Sequence, residues 1–230
     1  LLTDYKQNSA KGADNPAELF LNYNICKALG IRMGNTDFRS IPVSVVNNGE
    51  REIAITNRNN DFEITRNFQF PDQPYTADLS VQVKNISTSQ QNTSFGIELG
   101  ATSEHRDGGG LLSGGMPEQQ EILYHFDDKV KREHLGYEKA PTREEILRKN
   151  GTVLDWVASN SHYFMLALMP QNREGLDLSV SRTGFNIQQN AQSPADRTVY
   201  EAWLDSPLTL LPNTSKVFQY KIYYGPKIKA

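Results

Sequence analysis

Alternation with a period of two runs through most of this chain, and it leaves few folds open. In "YTADLSVQVK" the apolar residues Tyr75, Ala77, Leu79, Val81 and Val83 share one face, while Thr76, Asp78, Ser80, Gln82 and Lys84 share the other. Side chains alternate in this way only on a strand with one buried face. "KVFQYKIYY" repeats the pattern with Phe218, Tyr220, Ile222 and Tyr224. "EREIAITN", "DFEITRNFQF", "SFGIEL" and "TVYEAWLD" are further strand candidates, and "NNG" at 47–49, "PDQP" at 71–74 and "SPAD" at 193–196 are turn signals between them. An all-β chain of 230 residues fits a single domain.

One helix is predicted, near 143–149. In "PTREEILRKNG", Thr142 and Glu145 have capping-box spacing, Lys149 suits a last helical turn, and Gly151 can adopt a left-handed stop. The most apolar stretch, "WVASNSHYFMLALMP" at 156–170, is too short to cross a bilayer. Leu154, Trp156 and Ala158 are expected on one face, followed by a strand over 162–169 that is apolar on both faces and closed by Pro170. The aromatics Trp156 and Phe164 are accordingly expected in an inter-sheet core rather than at a ligand.

Chemistry is harder to find. The net charge of −3 sets the chain against the basic excess that nucleic-acid binding needs. Cys26 is the single cysteine, so an intramolecular disulfide and a CxxC site are both excluded. His105, His125, His134 and His162 are scattered without metal-ligand spacing. The glycine-rich "DGGGLLSGGMP" has neither a dinucleotide nor a phosphate-loop pattern and reads as a mobile surface loop. "NIS", "NTS" and "NGT" are chance sequon matches in an Asn-rich chain. No cofactor is expected. The opening Leu1-Leu2-Thr3-Asp4-Tyr5 reads as the start of an excised or processed fragment.

The order of segments is more informative than any motif. "GTVLDWVASNSHYFMLALMP" is followed by an alternating strand ending "YKIYYGPK", and "FEITRNFQFPDQPYTADLSVQVKNIS" lies upstream. This arrangement resembles the large periplasmic domain of the YidC-type membrane protein insertases of Gram-negative bacteria. The family motif falls on Gly151, Trp156, Val157, Ala158, Tyr163, Phe164 and Pro170, and its closing turn on Gly225, Pro226 and Lys227 after Tyr224. The likeness covers residues 41–230.

The resemblance implies a β-supersandwich, two large antiparallel sheets of galactose mutarotase-like shape, forming one domain over 1–230 with the opening strands and transmembrane core missing. It implies a non-catalytic role at the periplasmic face of the inner membrane, assisting insertion and folding of inner-membrane proteins. The implied partners are the Sec translocon with its accessory subunits, nascent membrane proteins, and the membrane through the missing segments. Trp156, Val157, Tyr163 and Phe164 would be structural core, and Tyr224, Gly225, Pro226 and Lys227 the membrane-proximal junction. The competing reading is a carbohydrate-binding or mutarotase-like sandwich, motivated by Tyr200, Trp203 and Tyr223 as sugar-stacking aromatics.

Overall fold

Why alternation becomes a sandwich is visible in two antiparallel sheets that share one apolar core. The computed structural model of the chain describes residues 29–104, 120–135, 144–160, 164–187 and 195–227. One sheet has the order β3 (Val43–Asn47), β4 (Glu52–Arg58), β5 (Phe62–Gln69), β6 (Thr76–Asn85), β15 (Ser215–Pro226), β12 (Phe164–Pro170), β11 (Leu154–Asn160), β8 (Gln120–Phe126) and β9 (Lys129–Leu135). The other runs β10 (Glu144–Thr152), β13 (Leu176–Ile187), β14 (Ala195–Leu210), β7 (Gln91–Glu104), β1 (Ile31–Met33) and β2 (Thr36–Asp37).

The predicted alternation sets the inner face of the nine-stranded sheet. Ala77, Leu79, Val81 and Val83 of β6 are buried, as are Tyr220 and Ile222 of the adjoining β15. The six-stranded sheet answers with Phe95, Ile97 and Leu99 of β7 and Tyr200, Ala202 and Leu204 of β14. Phe95 stacks on Phe218 across the interface, with ring centroids 4.2 Å apart. Asn85 of "NIS" is fully buried, and its Nδ2 donates to the carbonyls of Leu210 at 3.1 Å and Ser89 at 2.8 Å. That amide belongs to the core rather than to a glycosylation site.

The predicted helix is a strand. Residues 144–149 belong to β10, which pairs with β13 from Glu144↔Arg182 to Thr152↔Leu176. Local propensity in "EEILRK" favours a helix, but an unpaired β13 edge and an open core offer more to an extended segment. A register shift between Glu145 and Leu147 lets both Ile146 and Leu147 pack against the core. Gly151 does take the left-handed conformation, at φ 58°, within a second irregularity between Lys149 and Thr152. Its N–H donates to Asp177 Oδ1 at 2.7 Å, so it serves a bulge rather than a helix stop. Thr142, Cys26, His105, His162, Tyr163 and the glycine-rich 108–115 lie outside the described residues.

On the outer face of the six-stranded sheet, Trp203 is 3% exposed and carries two guanidinium groups, Arg32 at 4.4 Å and Arg39 at 5.3 Å from its ring centre. Arg32 Nε donates to Asp205 at 2.9 Å. Arg39 Nη1 donates to Glu98 Oε2 at 3.0 Å and to Glu201 Oε1 at 2.8 Å, and its Nε donates to Asp37 Oδ2 at 2.8 Å. This network pins the segment carrying β1 and β2 onto β7 and β14. Tyr200 and Trp203, two of the aromatics that motivate the competing carbohydrate reading, are both buried and offer a sugar no open face.

Candidate functional site

A single bulge turns the family tryptophan away from the core. Leu154 pairs with Phe126, yet Trp156 pairs with the very next residue of β8, His125. The extra residue on β11 breaks the period of two, since a one-residue slip moves every later side chain to the opposite face. Leu154 and Val157 therefore point inward and are fully buried, while Trp156 is left half-buried on the outer face. The expectation that Trp156 shares the inner face with Leu154 is wrong for this reason. Val157 is buried in the core, Phe164 is half-buried, and β12 is buried at Ala167, Leu168 and Pro170 but only partly elsewhere.

Trp156 instead walls a cavity of about 430 Å³. Its ring lies near-parallel to that of His125, with centroids 6.1 Å apart and an interplanar angle of 17°. Asp155, the bulged residue, lies with Oδ2 2.5 Å from His125 Nδ1 and accepts from Arg173 Nη1 at 2.6 Å on its other oxygen. Met169 and Pro170 extend the apolar wall, and Lys221 adds a further cation. The arrangement suits a small ligand with one flat apolar face and several polar groups. No serine, threonine or cysteine lines it, so it offers no hydroxyl or thiol nucleophile. Among the described residues no group of three His, Cys, Asp or Glu could hold a metal ion. His125, Asp155, Arg173 and Lys221 come from separate segments, and only their fold-dependent meeting marks them.

The second candidate lies at the C-terminal end of β15, beside the other end of β12. The two stretches that carry the resemblance are neighbours: β12 and β15 pair without a break from Phe164↔Pro226 to Pro170↔Tyr220. The closing turn expected on Gly225, Pro226 and Lys227 begins later than that, because β15 runs through both Gly225 and Pro226. Gln171 N–H donates to Gln219 O at 2.9 Å, which puts the β12-facing hydrogen bonds on odd-numbered residues of β15. The N–H that Pro226 lacks would point the other way, where pairing with β6 has already ended at Tyr223↔Thr76. A proline costs nothing there.

Hydrogen bonds and a close backbone approach hold this end. Tyr224 N–H donates to Tyr75 O at 2.9 Å, and Tyr223 OH donates to Pro226 O at 2.6 Å. A Cβ on Gly225 would come within 2.6 Å of Tyr75 Cβ, so only glycine allows this approach. Tyr75 itself sits at φ 62°. Lys227 follows, exposed.

Comparison with known proteins gives this geometry a context. The chain is similar to the membrane protein insertase YidC of Francisella philomiragia subsp. philomiragia, at 25% identity over 186 residues covering 80% of this chain and 31% of that protein. The YidC of Francisella tularensis subsp. novicida is 24% identical over 189 residues, with the same coverages of 80% and 31%. The chain thus spans about a third of the length of these relatives, at 31%. Among solved structures it is similar to a galactose mutarotase-like protein from Lactobacillus casei ATCC 334, with TM-score 0.45, 11% identity, and 84% of this chain and 76% of that one covered. Slr1438 from Synechocystis sp. PCC 6803 gives TM-score 0.46 at 12% identity, covering 85% and 70%. The family model described as the YidC periplasmic domain matches residues 29–230, a span that includes every strand described above. The chain belongs to the YidC periplasmic domain family.

Proposed function

We propose that this chain is the non-catalytic periplasmic part of a membrane protein insertase, which assists insertion and folding of inner-membrane proteins by contacting translocon partners or substrate segments. The observation that carries this reading is the family match over 29–230. The partners it implies are the Sec translocon with its accessory subunits and nascent membrane proteins. The locked end of β15 supports it: with Tyr224 bonded to Tyr75, and Gly225 beneath it, the exit at Lys227 is held in one direction relative to the sheet. Tyr224, Gly225, Pro226 and Lys227 are the junction in this reading. In the full-length parent, replacing Gly225-Pro226 with a flexible linker should impair insertion while the domain stays folded. Normal complementation at normal protein level would reduce the junction to a tether.

Carbohydrate binding is the second reading, and the cavity beside Trp156 favours it. An indole face bordered by Asp155, Arg173 and Lys221 matches a sugar's mixture of apolar and hydroxyl surfaces. A glycan array probed with the wild type and with Trp156→Ala tests it. Signals lost in the variant support sugar binding, and a blank array removes it.

A further inference from the structure

Among the described residues the two sheets have four edges, and one of them differs from the rest. β9 bears Lys129, Lys131, Arg132 and Glu133. β10 bears Glu144, Glu145, Arg148 and Lys149. β2 is two residues long. Charges and shortness are the usual means of keeping foreign strands off an edge. β3 has neither: it reads Val-Ser-Val-Val-Asn, all five residues are exposed, and Val43, Val45 and Val46 stand at 52%, 60% and 53%.

The register shows which backbone groups are on offer. Asn48 N–H donates to Glu52 O at 3.0 Å, so the hydrogen-bonded pairs of β3 with β4 fall on even residues, Val46↔Ala54 and Ser44↔Thr56. On the other side of β4, Phe70 N–H donates to Arg51 O at 2.9 Å, which assigns the odd residues of β4 to β5. Both observations agree. Val43, Val45 and Asn47 therefore turn their N–H and C=O groups outward, along the side of the sheet that no other described strand occupies.

We infer that β3 is a strand-addition site whose partner is an extended, uncharged polypeptide segment rich in β-branched residues. Main-chain donors and acceptors would hold such a segment, and the valines would meet its apolar side chains. A charged strand finds no opposite charge on β3. A second copy of this chain is disfavoured by size: a five-residue seam is about 17 Å long and falls far short of the ~800 Å² per partner of a stable interface. Strand addition at β3 does not require the insertase reading to hold.

The test uses the 230-residue chain and a labelled, end-capped hexapeptide of alternating threonine and valine. Saturable binding by fluorescence anisotropy is expected, and none to the same peptide N-methylated on its pairing side. Val45→Pro removes an outward N–H that β4 does not use, and Val45→Lys adds the charge that the other long edges carry. Each should weaken binding by roughly tenfold or more. Amide exchange at Val43, Val45 and Asn47 should be fast in the free chain and slow with peptide. Three results would overturn the inference: no saturable binding, equal binding by both variants, or protection of those amides in the free chain, which would show the edge already taken by a second copy or by the chain itself.

Discussion

Trp203→Ala is expected to destabilise the domain by about 3–5 kcal/mol, the range for truncating a buried tryptophan, whereas Trp156→Ala costs only about 1–2 kcal/mol, in line with partial burial. Trp203 is 3% exposed and sits under Arg32 and Arg39, whose guanidiniums lose their aromatic support when it goes. Its Nε1 has no hydrogen-bond partner, so Trp203→Phe, which removes that dehydrated N–H and keeps a ring, should cost less than the alanine change. Trp156 stands beside an open cavity, and the protein around it stays packed through Leu154 and Val157. Urea unfolding of the three variants side by side checks the ranking. Iodide quenching supplies an independent readout, since Trp156 should provide nearly all the quenchable emission. A costlier loss at Trp156 would mean that the bulge does not turn it outward.

The same comparison shows what this sequence discloses and what it conceals. In β6 and β15, where alternation is unbroken, the buried Leu79, Val81, Tyr220 and Ile222 are legible in the sequence, whereas Tyr75, expected on the same face, precedes β6 and is 43% exposed. The period of these two strands needs no information from elsewhere in the chain. Trp156 was misplaced because a bulge between Leu154 and Trp156 resets the face, and no residue type announces that extra position. The segment 144–149 was misread because its helical propensity is local while its partner, β13, begins some thirty residues later in the sequence. The cavity suffers from the same distance. His125, Asp155, Arg173 and Lys221 carry no common spacing, and only the pairing of β8 with β11 and of β12 with β15 gathers them. Tyr224, Gly225, Pro226 and Lys227 stand out in the sequence because they are contiguous, but the close approach of Gly225 to Tyr75, about 150 residues upstream, is visible only in the fold.

The second large effect is expected at the guanidinium of Arg39, whose replacement by methionine should cost about 3–5 kcal/mol, the usual result of removing one partner from a buried ion pair. Burial works against charging Arg39, but the carboxylates of Asp37, Glu201 and Glu98 outweigh it and raise its pKa further. Glu98 shows the opposite balance. Its side chain is 0% exposed, and dehydration, reinforced by Glu201 and Asp37, outweighs the attraction of Arg39 and pushes its pKa up to about 8 from an ordinary 4.5. One guanidinium shared among three carboxylates does not restore what Glu98 loses by leaving water. Between pH 4.5 and 8 the folded chain therefore binds a proton at Glu98 that the unfolded chain has released. Glu98 favours the fold fully below pH 4.5, and that contribution is lost as pH rises through about 8. Stability should thus fall by on the order of a few kcal/mol across this window. Glu98→Gln keeps the shape and the acceptor oxygen for Arg39 but cannot ionise, so most of this decline should vanish. Urea midpoints at pH 5, 7 and 9, chosen to bracket the window, measure the slope in wild type and variant. A decline that survives unchanged in Glu98→Gln would place the titrating group elsewhere in the chain.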